Sequence, residues 1–240
     1  MSLRETHTEL AKHKGILMMQ HGIVFSDFGT RRRRSFAVHR AVVEGLVAAN
    51  SAIRHSDGGC GGRIGRLLGT SNTLLAKEFN LAPIGTIAHE WTMGIAAIYG
   101  YEHSNMNSLD LWDAVYAPPA FTPKSPAEDL TIALTDTFST RVFWRDLTSS
   151  EKGIEMLRRW RGLRQDSGDS ETFVRNAIDI YRSLGVDPSS KLVIFSDGTC
   201  VHRMCADATG LNVPRCIELQ TLADQLGVRA GFGACAPAPD

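Results

Sequence analysis

The chain has no apolar run near the ~20 residues that a membrane-spanning helix needs, so it does not read as a helical membrane protein. It also has no excess of either charge. Its 26 Lys and Arg balance 26 Asp and Glu, so no global field draws it toward nucleic acid or a membrane surface. The segment 1–14 alternates charged and polar residues and has no apolar stretch of the secretory-signal kind. Cysteine is scarce and odd in number, five in all, and no two form a CxxC pair. Cys200, His202 and Cys205 lie close together, but no second pair stands at zinc-ligand spacing. The set fits reduced thiols in a cytosolic or nuclear setting. No strict internal repeat is visible. What is present is 43% hydrophobic residues in 240, enough for one large ordered domain or two small ones.

Those apolar residues recur in one grammar: a short apolar run, a small or polar turn, then a helix-like stretch. Leu3–Gln20 reads as a helix, and Ile23-Val24-Phe25 follows and stops in Ser26-Asp27-Phe28-Gly29-Thr30. Leu67-Leu68 runs into Gly69-Thr70-Ser71-Asn72 and a helix from Thr73 to Phe79. Pro83-Ile84 runs into a turn carrying His89, then a helix from Met93 to Tyr99. Thr131-Ile132-Ala133-Leu134 runs into Thr135-Asp136-Thr137 and then Val142-Phe143-Trp144, and Leu163 and Leu192–Phe195 end in Arg164–Asp169 and Ser196-Asp197-Gly198. Val228–Phe232 reads as a last strand. After Asp169 an apolar stripe of Phe173, Ala177, Ile178, Tyr181 and Leu184 has helical spacing, and Gly185 ends it.

Strands that alternate with helices imply parallel βαβ units, and buried parallel strands read as short apolar runs without alternation. The expected fold is α/β, an incomplete, irregular TIM-like barrel with its chemistry at the carboxyl ends of the strands. An open doubly wound sheet obeys a similar rule. The Gly-rich segment 56–63 and the Pro-rich segment 117–129 read as loops.

Several of these strand ends carry candidate chemistry. Arg31–Arg34 reads either as a solvated charge run or as a phosphate site, since guanidinium forks match phosphate oxygens. In a neutral chain the run is weak evidence for nucleic acid. Arg164-Gln165-Asp166-Ser167-Gly168-Asp169 joins a cation, carboxylates and a glycine; it reads as a site for ribose hydroxyls or magnesium, and Ser167 or Asp169 as a helix cap. Asp136 is another strand-end carboxylate. His89 suits a phosphoryl acceptor, an anion partner or an ordinary core residue. Cations, carboxylates and one histidine at one barrel face suit a phosphorylated sugar better than an apolar ligand.

With these motifs assembled, the chain resembles the nicotinate phosphoribosyltransferase family, in a form close to the fungal enzymes. The resemblance rests on Phe25–Arg33, Gly69–Asn72, Gly85–Trp91, Leu134–Phe138, Arg164–Asp169 and Phe195–Asp197, which follow the family's order and spacing between Gly22 and Gly233. It implies a barrel core over 1–233 of the type II phosphoribosyltransferase kind. It implies transfer of phosphoribose from phosphoribosyl pyrophosphate to nicotinate in NAD salvage, with Mg2+ and with ATP as co-substrate through a phosphohistidine. By position that histidine is His89. Thr86 and Arg164 match positions that contact nicotinate, and Arg31 matches an arginine of the substrate site. Asp166 is given a ribose or magnesium role. The resemblance also implies a cytoplasmic homodimer, with no nucleic-acid or membrane partner.

The chain departs from the family in three places. The family has a domain before Leu3, with a tyrosine on the nicotinate ring. Residues 199–210 read as an insertion. The tail 234–240 diverges, with Ala236 where the family has a threonine on phosphoribosyl pyrophosphate. From these departures weak or no turnover and poor solubility are expected for these residues alone. The competing readings are a non-catalytic fragment or degenerate copy of the same family, and a nicotinamide-using relative.

Overall fold

The computed structural model describes residues 3–31, 33–54, 64–116, 130–196, 199 and 213–234. In chain order the elements are α1 (Leu3–Gln20), β1 (Val24–Asp27), α2 (Phe36–Arg54), β2 (Arg66–Thr70), α3 (Thr73–Glu78), β3 (Ala82–Pro83), α4 (His89–Tyr99), α5 (Ser104–Tyr116), β4 (Ile132–Leu134), α6 (Thr140–Thr148), α7 (Glu151–Arg159), β5 (Gly162–Gln165), α8 (Ser170–Ser183), β6 (Leu192–Phe195), α9 (Val213–Leu226) and β7 (Arg229–Ala234). The chain divides into two compact units. The first joins 1–85 to 195–225 and 230–240; the second joins 86–194 to 226–229.

In the first unit, strands run in the order β3-β2-β1-β7 and every recorded pairing is parallel. Phe25 pairs with Leu67 on one side and Phe232 on the other, and all three are buried. No residue of β1 is exposed, which is why Ile23-Val24-Phe25 reads as a plain apolar run rather than as an alternation. α1 packs along α2, with Gly15 against Leu46 and Ala49 and Gly45 against Thr8 and Ala11. The crossing is close because Gly45 lacks a side chain: a Cβ there would stand 2.2 Å from the Thr8 carbonyl oxygen.

In the second unit, β4 and β5 pair in parallel, with Ile132 opposite Gly162 and Leu134 opposite Arg164. β6 follows β5, with the Leu192 N–H donating to the Arg161 carbonyl at 3.0 Å. Gly162 makes this approach possible, since a Cβ would sit 1.9 Å from the Leu192 oxygen. Phe143, Leu147, Met156, Leu157, Leu163 and Val174 are buried in this unit.

The α/β class and the parallel strands agree with the sequence reading, as do the bounds of α1, β6 and, within a residue or three, α3 and α8. α8 starts as expected: the Asp169 carboxylate accepts from the Thr172 N–H at 2.7 Å, and Phe173, Ala177, Ile178 and Tyr181 are buried. Gly185 ends it at φ 72°. α4 differs, because it starts at His89 rather than Met93, so His89 belongs to the first helical turn. Helices α2, α5, α7 and α9 carried no expectation. The two loops and nearly all of the expected insertion lie outside the described residues, as do Arg32, Asp197 and Ala236.

Candidate functional site

Chemistry-bearing residues of the second unit converge at the carboxyl ends of β4 and β5 and at the start of α4. β5 sorts its residues by alternation: Gln165 is buried, while Arg164 and Asp166 are half-buried and reach one another. The Asp166 carboxylate serves two partners. Its Oδ1 accepts from Arg164 Nη2 at 2.9 Å, and its Oδ2 lies 3.1 Å from His89 Nε2. On the other side of the ring, His89 Nδ1 lies 3.1 Å from Thr137 Oγ1. The imidazole is therefore clamped at both nitrogens while about a third of it faces solvent.

Arg164 is fixed by the segment that leads into α4. Its Nη1 donates to Thr86 Oγ1 at 2.8 Å and to the Ile87 carbonyl at 3.3 Å. A planar guanidinium held at both terminal nitrogens has its direction set before any ligand arrives. Beneath Asp166 lies Asp136, whose Oδ2 accepts from the Asp166 N–H at 3.2 Å and from Ser167 Oγ at 2.5 Å. Ser167 thus ties the turn to β4, and of the two expected caps only Asp169 caps α8. Gln165 Nε2 braces the same turn by donating to the carbonyls of Ser167 and Gly168. A cavity of about 530 Å3 lies on the Gln165 side, between α6 and α8. Thr86, His89, Arg164 and Asp166 do not line it.

Arg31 belongs to the first unit. It closes a short 3-10 turn, Gly29–Arg31, at the carboxyl end of β1, and its side chain is exposed. That turn is anchored by buried Asp27, whose Oδ1 accepts from the Gly29 N–H at 3.0 Å. Thr30 Oγ1 lies 2.8 Å from Ser71 Oγ, which joins the turn to the one after β2. Among the described residues there is no group of three or more His, Cys, Asp or Glu placed to hold a metal ion. No described helix is long and apolar enough to cross a membrane.

Thr86, His89, Arg164 and Asp166 therefore meet in one hydrogen-bonded chain. Thr137, which completes the clamp, was in a recognised motif but had no assigned role. Its only sequence signal is its place one residue after a strand-end carboxylate.

A model of the nicotinate phosphoribosyltransferase family matches residues 23–236. The chain belongs to that family. It is 36% identical over 230 residues to a probable nicotinate phosphoribosyltransferase of Schizosaccharomyces pombe, covering 95% of this chain and 48% of the relative. It is 38% identical over 183 residues to the nicotinate phosphoribosyltransferase of Methanosarcina acetivorans, covering 76% of this chain and 38% of that one. A crystal structure titled as a nicotinate phosphoribosyltransferase of Porphyromonas gingivalis superposes with a TM-score of 0.73 at 33% identity, over 96% of this chain and 49% of that one. The chain spans between about four-tenths and half of the length of these relatives. At this similarity the chain shares the α/β fold of these relatives over the part of their length that it spans.

Proposed function

We propose that the chain provides the nicotinate-recognising and phosphohistidine parts of a nicotinate phosphoribosyltransferase in NAD salvage. The observation that carries this reading is the clamp on His89, coupled through Asp166 to an arginine pre-aimed by Thr86. In the reaction the ring nitrogen of nicotinate attacks the anomeric carbon of phosphoribosyl pyrophosphate. A C–N bond forms, the C–O bond to pyrophosphate breaks, and pyrophosphate leaves. Arg164 pairs with the nicotinate carboxylate, which favours the acid over the amide. Asp166 bears on the positive charge that builds on the ribose. Arg31 takes up substrate phosphate.

ATP enters through His89. A carboxylate at Nε2 holds the tautomer that carries its proton there, leaving the lone pair on Nδ1. Nδ1 then attacks the γ-phosphorus of ATP; an N–P bond forms, a P–O bond breaks, and ADP leaves. In the resting site the Thr137 hydroxyl donates to that lone pair and holds the ring in place, and it turns away as phosphorus approaches. The phosphorylated ring places a dianion beside Arg164 and Asp166 and changes substrate affinity by local electrostatics.

The residues present fit a magnesium ion. Among the described residues Asp136 Oδ1 is buried with no hydrogen-bond partner, and magnesium commonly takes only one or two carboxylates, its other ligands coming from water and substrate phosphates. Asp136 and Asp166 would hold it. Bound there, it would neutralise charge on the leaving pyrophosphate.

The test is nicotinate mononucleotide formation by the purified chain from nicotinate, phosphoribosyl pyrophosphate and magnesium, with and without ATP, beside His89→Ala. Weak product that ATP stimulates, with the stimulation lost in His89→Ala, is the expected result. Absence of product would make the chain a non-catalytic member of its family. Preference for nicotinamide would overturn the assignment of Arg164.

A further inference from the structure

We propose that His39 is a positioning residue: acting through Asp27, it sets the turns at the carboxyl ends of β1 and β2, and with them Arg31. The inference rests on the proposed function for the role of Arg31, and on geometry within the first unit for everything else.

His39 lies in the first turns of α2 and is fully buried. Its Nε2 stands 2.7 Å from Asp27 Oδ2, and Asp27 is 3% exposed. Thr70 Oγ1, also fully buried, donates to the same oxygen at 2.6 Å. The second carboxylate oxygen accepts from the Gly29 N–H. Asp27 also grips the other turn through its backbone, since its carbonyl accepts from the Ser71 N–H at 2.7 Å. Thr70 Oγ1 in turn accepts from the Asn72 N–H at 3.1 Å, and Asn72 caps α3 through the N–H groups of Leu74 and Leu75. One residue thus holds both loop starts, and one histidine holds that residue.

His39 Nδ1 is buried with no hydrogen-bond partner among the described residues. A proton on Nδ1 would be an orphan donor in a dry site, whereas a bare lone pair costs less. The ring is therefore the tautomer that donates from Nε2 to Asp27. Every neighbour of the carboxylate named here is then a donor, and its plane is fixed by three of them. Remove the donor on α2 and the carboxylate is held only from the two turns it should be holding. The Gly29–Arg31 turn then gains freedom, and the direction of Arg31 with it.

The experiment compares the native chain with His39→Leu, His39→Met and His39→Gln. Leu and Met keep apolar bulk without the donor; Gln keeps an N–H donor. Three readouts are taken: affinity for phosphoribosyl pyrophosphate by calorimetry, KM and kcat for nicotinate mononucleotide formation, and amide hydrogen exchange at Gly29 and Ser71. Losing a hydrogen bond to a charged group predicts an affinity and KM weakened about tenfold or more, with kcat held within about threefold. Exchange at Gly29 and Ser71 quickens about tenfold while β4 and β5 stay protected. Gln restores all three. Either apolar variant suffices if the other fails to fold. Native affinity and native exchange in a folded Leu or Met variant would overturn the proposal, as would a Gln variant that behaves like them. A native chain without affinity for phosphoribosyl pyrophosphate would instead sink the functional reading, and exchange at Gly29 and Ser71 would then decide the positioning claim by itself.

Discussion

Asp166→Asn changes one atom and should cost the histidine its chemistry. The carboxylate now accepts from Arg164 on one oxygen and faces His89 Nε2 with the other. An amide has one oxygen and one NH2, so it cannot accept from both. The guanidinium has no lone pair and must be met by the oxygen, which turns the NH2 toward His89. Nε2 then has to accept, and the ring proton moves to Nδ1, where it donates to Thr137 Oγ1. The nitrogen that should attack phosphorus has lost its lone pair. A wrong tautomer of this kind lowers the chemical step about 10^4-fold in hydrolytic triads, a barrier of roughly 5 kcal/mol. Stability should hardly change, because His89 is 34% and Asp166 25% exposed and partly solvated pairs contribute roughly 1 kcal/mol or less. The assay is the rate of acid-labile phosphate appearing on the chain with labelled ATP, beside a thermal melt. Phosphorylation within threefold of native, in a variant that melts normally, would refute the tautomer argument and leave Asp166 as a simple tether for Arg164.

Three further outcomes are expected. Asp169→Ala removes the cap on the Thr172 N–H and should destabilise the chain by about 1 kcal/mol, read as a lower urea midpoint with an unchanged slope. Gly162→Ala forces a Cβ within 1.9 Å of the Leu192 carbonyl and should separate β5 from β6, read as loss of the cooperative melt. Lys191 is 6% exposed, its Nζ donates to the carbonyls of Arg158 and Trp160, and burial lowers its pKa from 10.5 to about 8. Between those values the unfolded chain binds more protons than the folded one, so Lys191 adds stability as pH rises through that window and loses it as pH falls toward 8. Burial raises the pKa of Cys216 to about 12 and raises that of Tyr181 as well, which act in the opposite sense above their ordinary values. The Lys191 contribution is therefore the difference between native and Lys191→Met urea titrations from pH 7.5 to 10, and a constant difference would refute it.

What could be read in advance was whatever is local. α8 announces itself with a capping Asp169, a stripe at helical spacing and a stopping Gly185, each within reach of its neighbours along the chain. α4 does not announce its start, because its cap is Ala88, which offers no side-chain acceptor to the first turn. α2 carries Gly45 in mid-helix for a contact with α1 that no window of sequence contains. The site divides in the same way. Thr86, His89, Arg164 and Asp166 stood in readable motifs, so their residues were named, though not who touches whom. Asp136 was visible as a carboxylate but not as the acceptor beneath the Asp166 N–H. His39 was invisible: it has no motif of its own, and only the packing of α2 brings it to Asp27.

The partners of the histidine are far from it along the chain. Asp166 is 77 residues away and Thr137 48, while Thr86 and Arg164 are separated by 78. Closing loops of that length costs entropy that early collapse does not repay, so such contacts form late. A chain still folding can hold α4 and β5 without holding His89 in register. Phosphate on His89 would therefore mark molecules in which this clamp has closed, and the fraction labelled during refolding would time that closure.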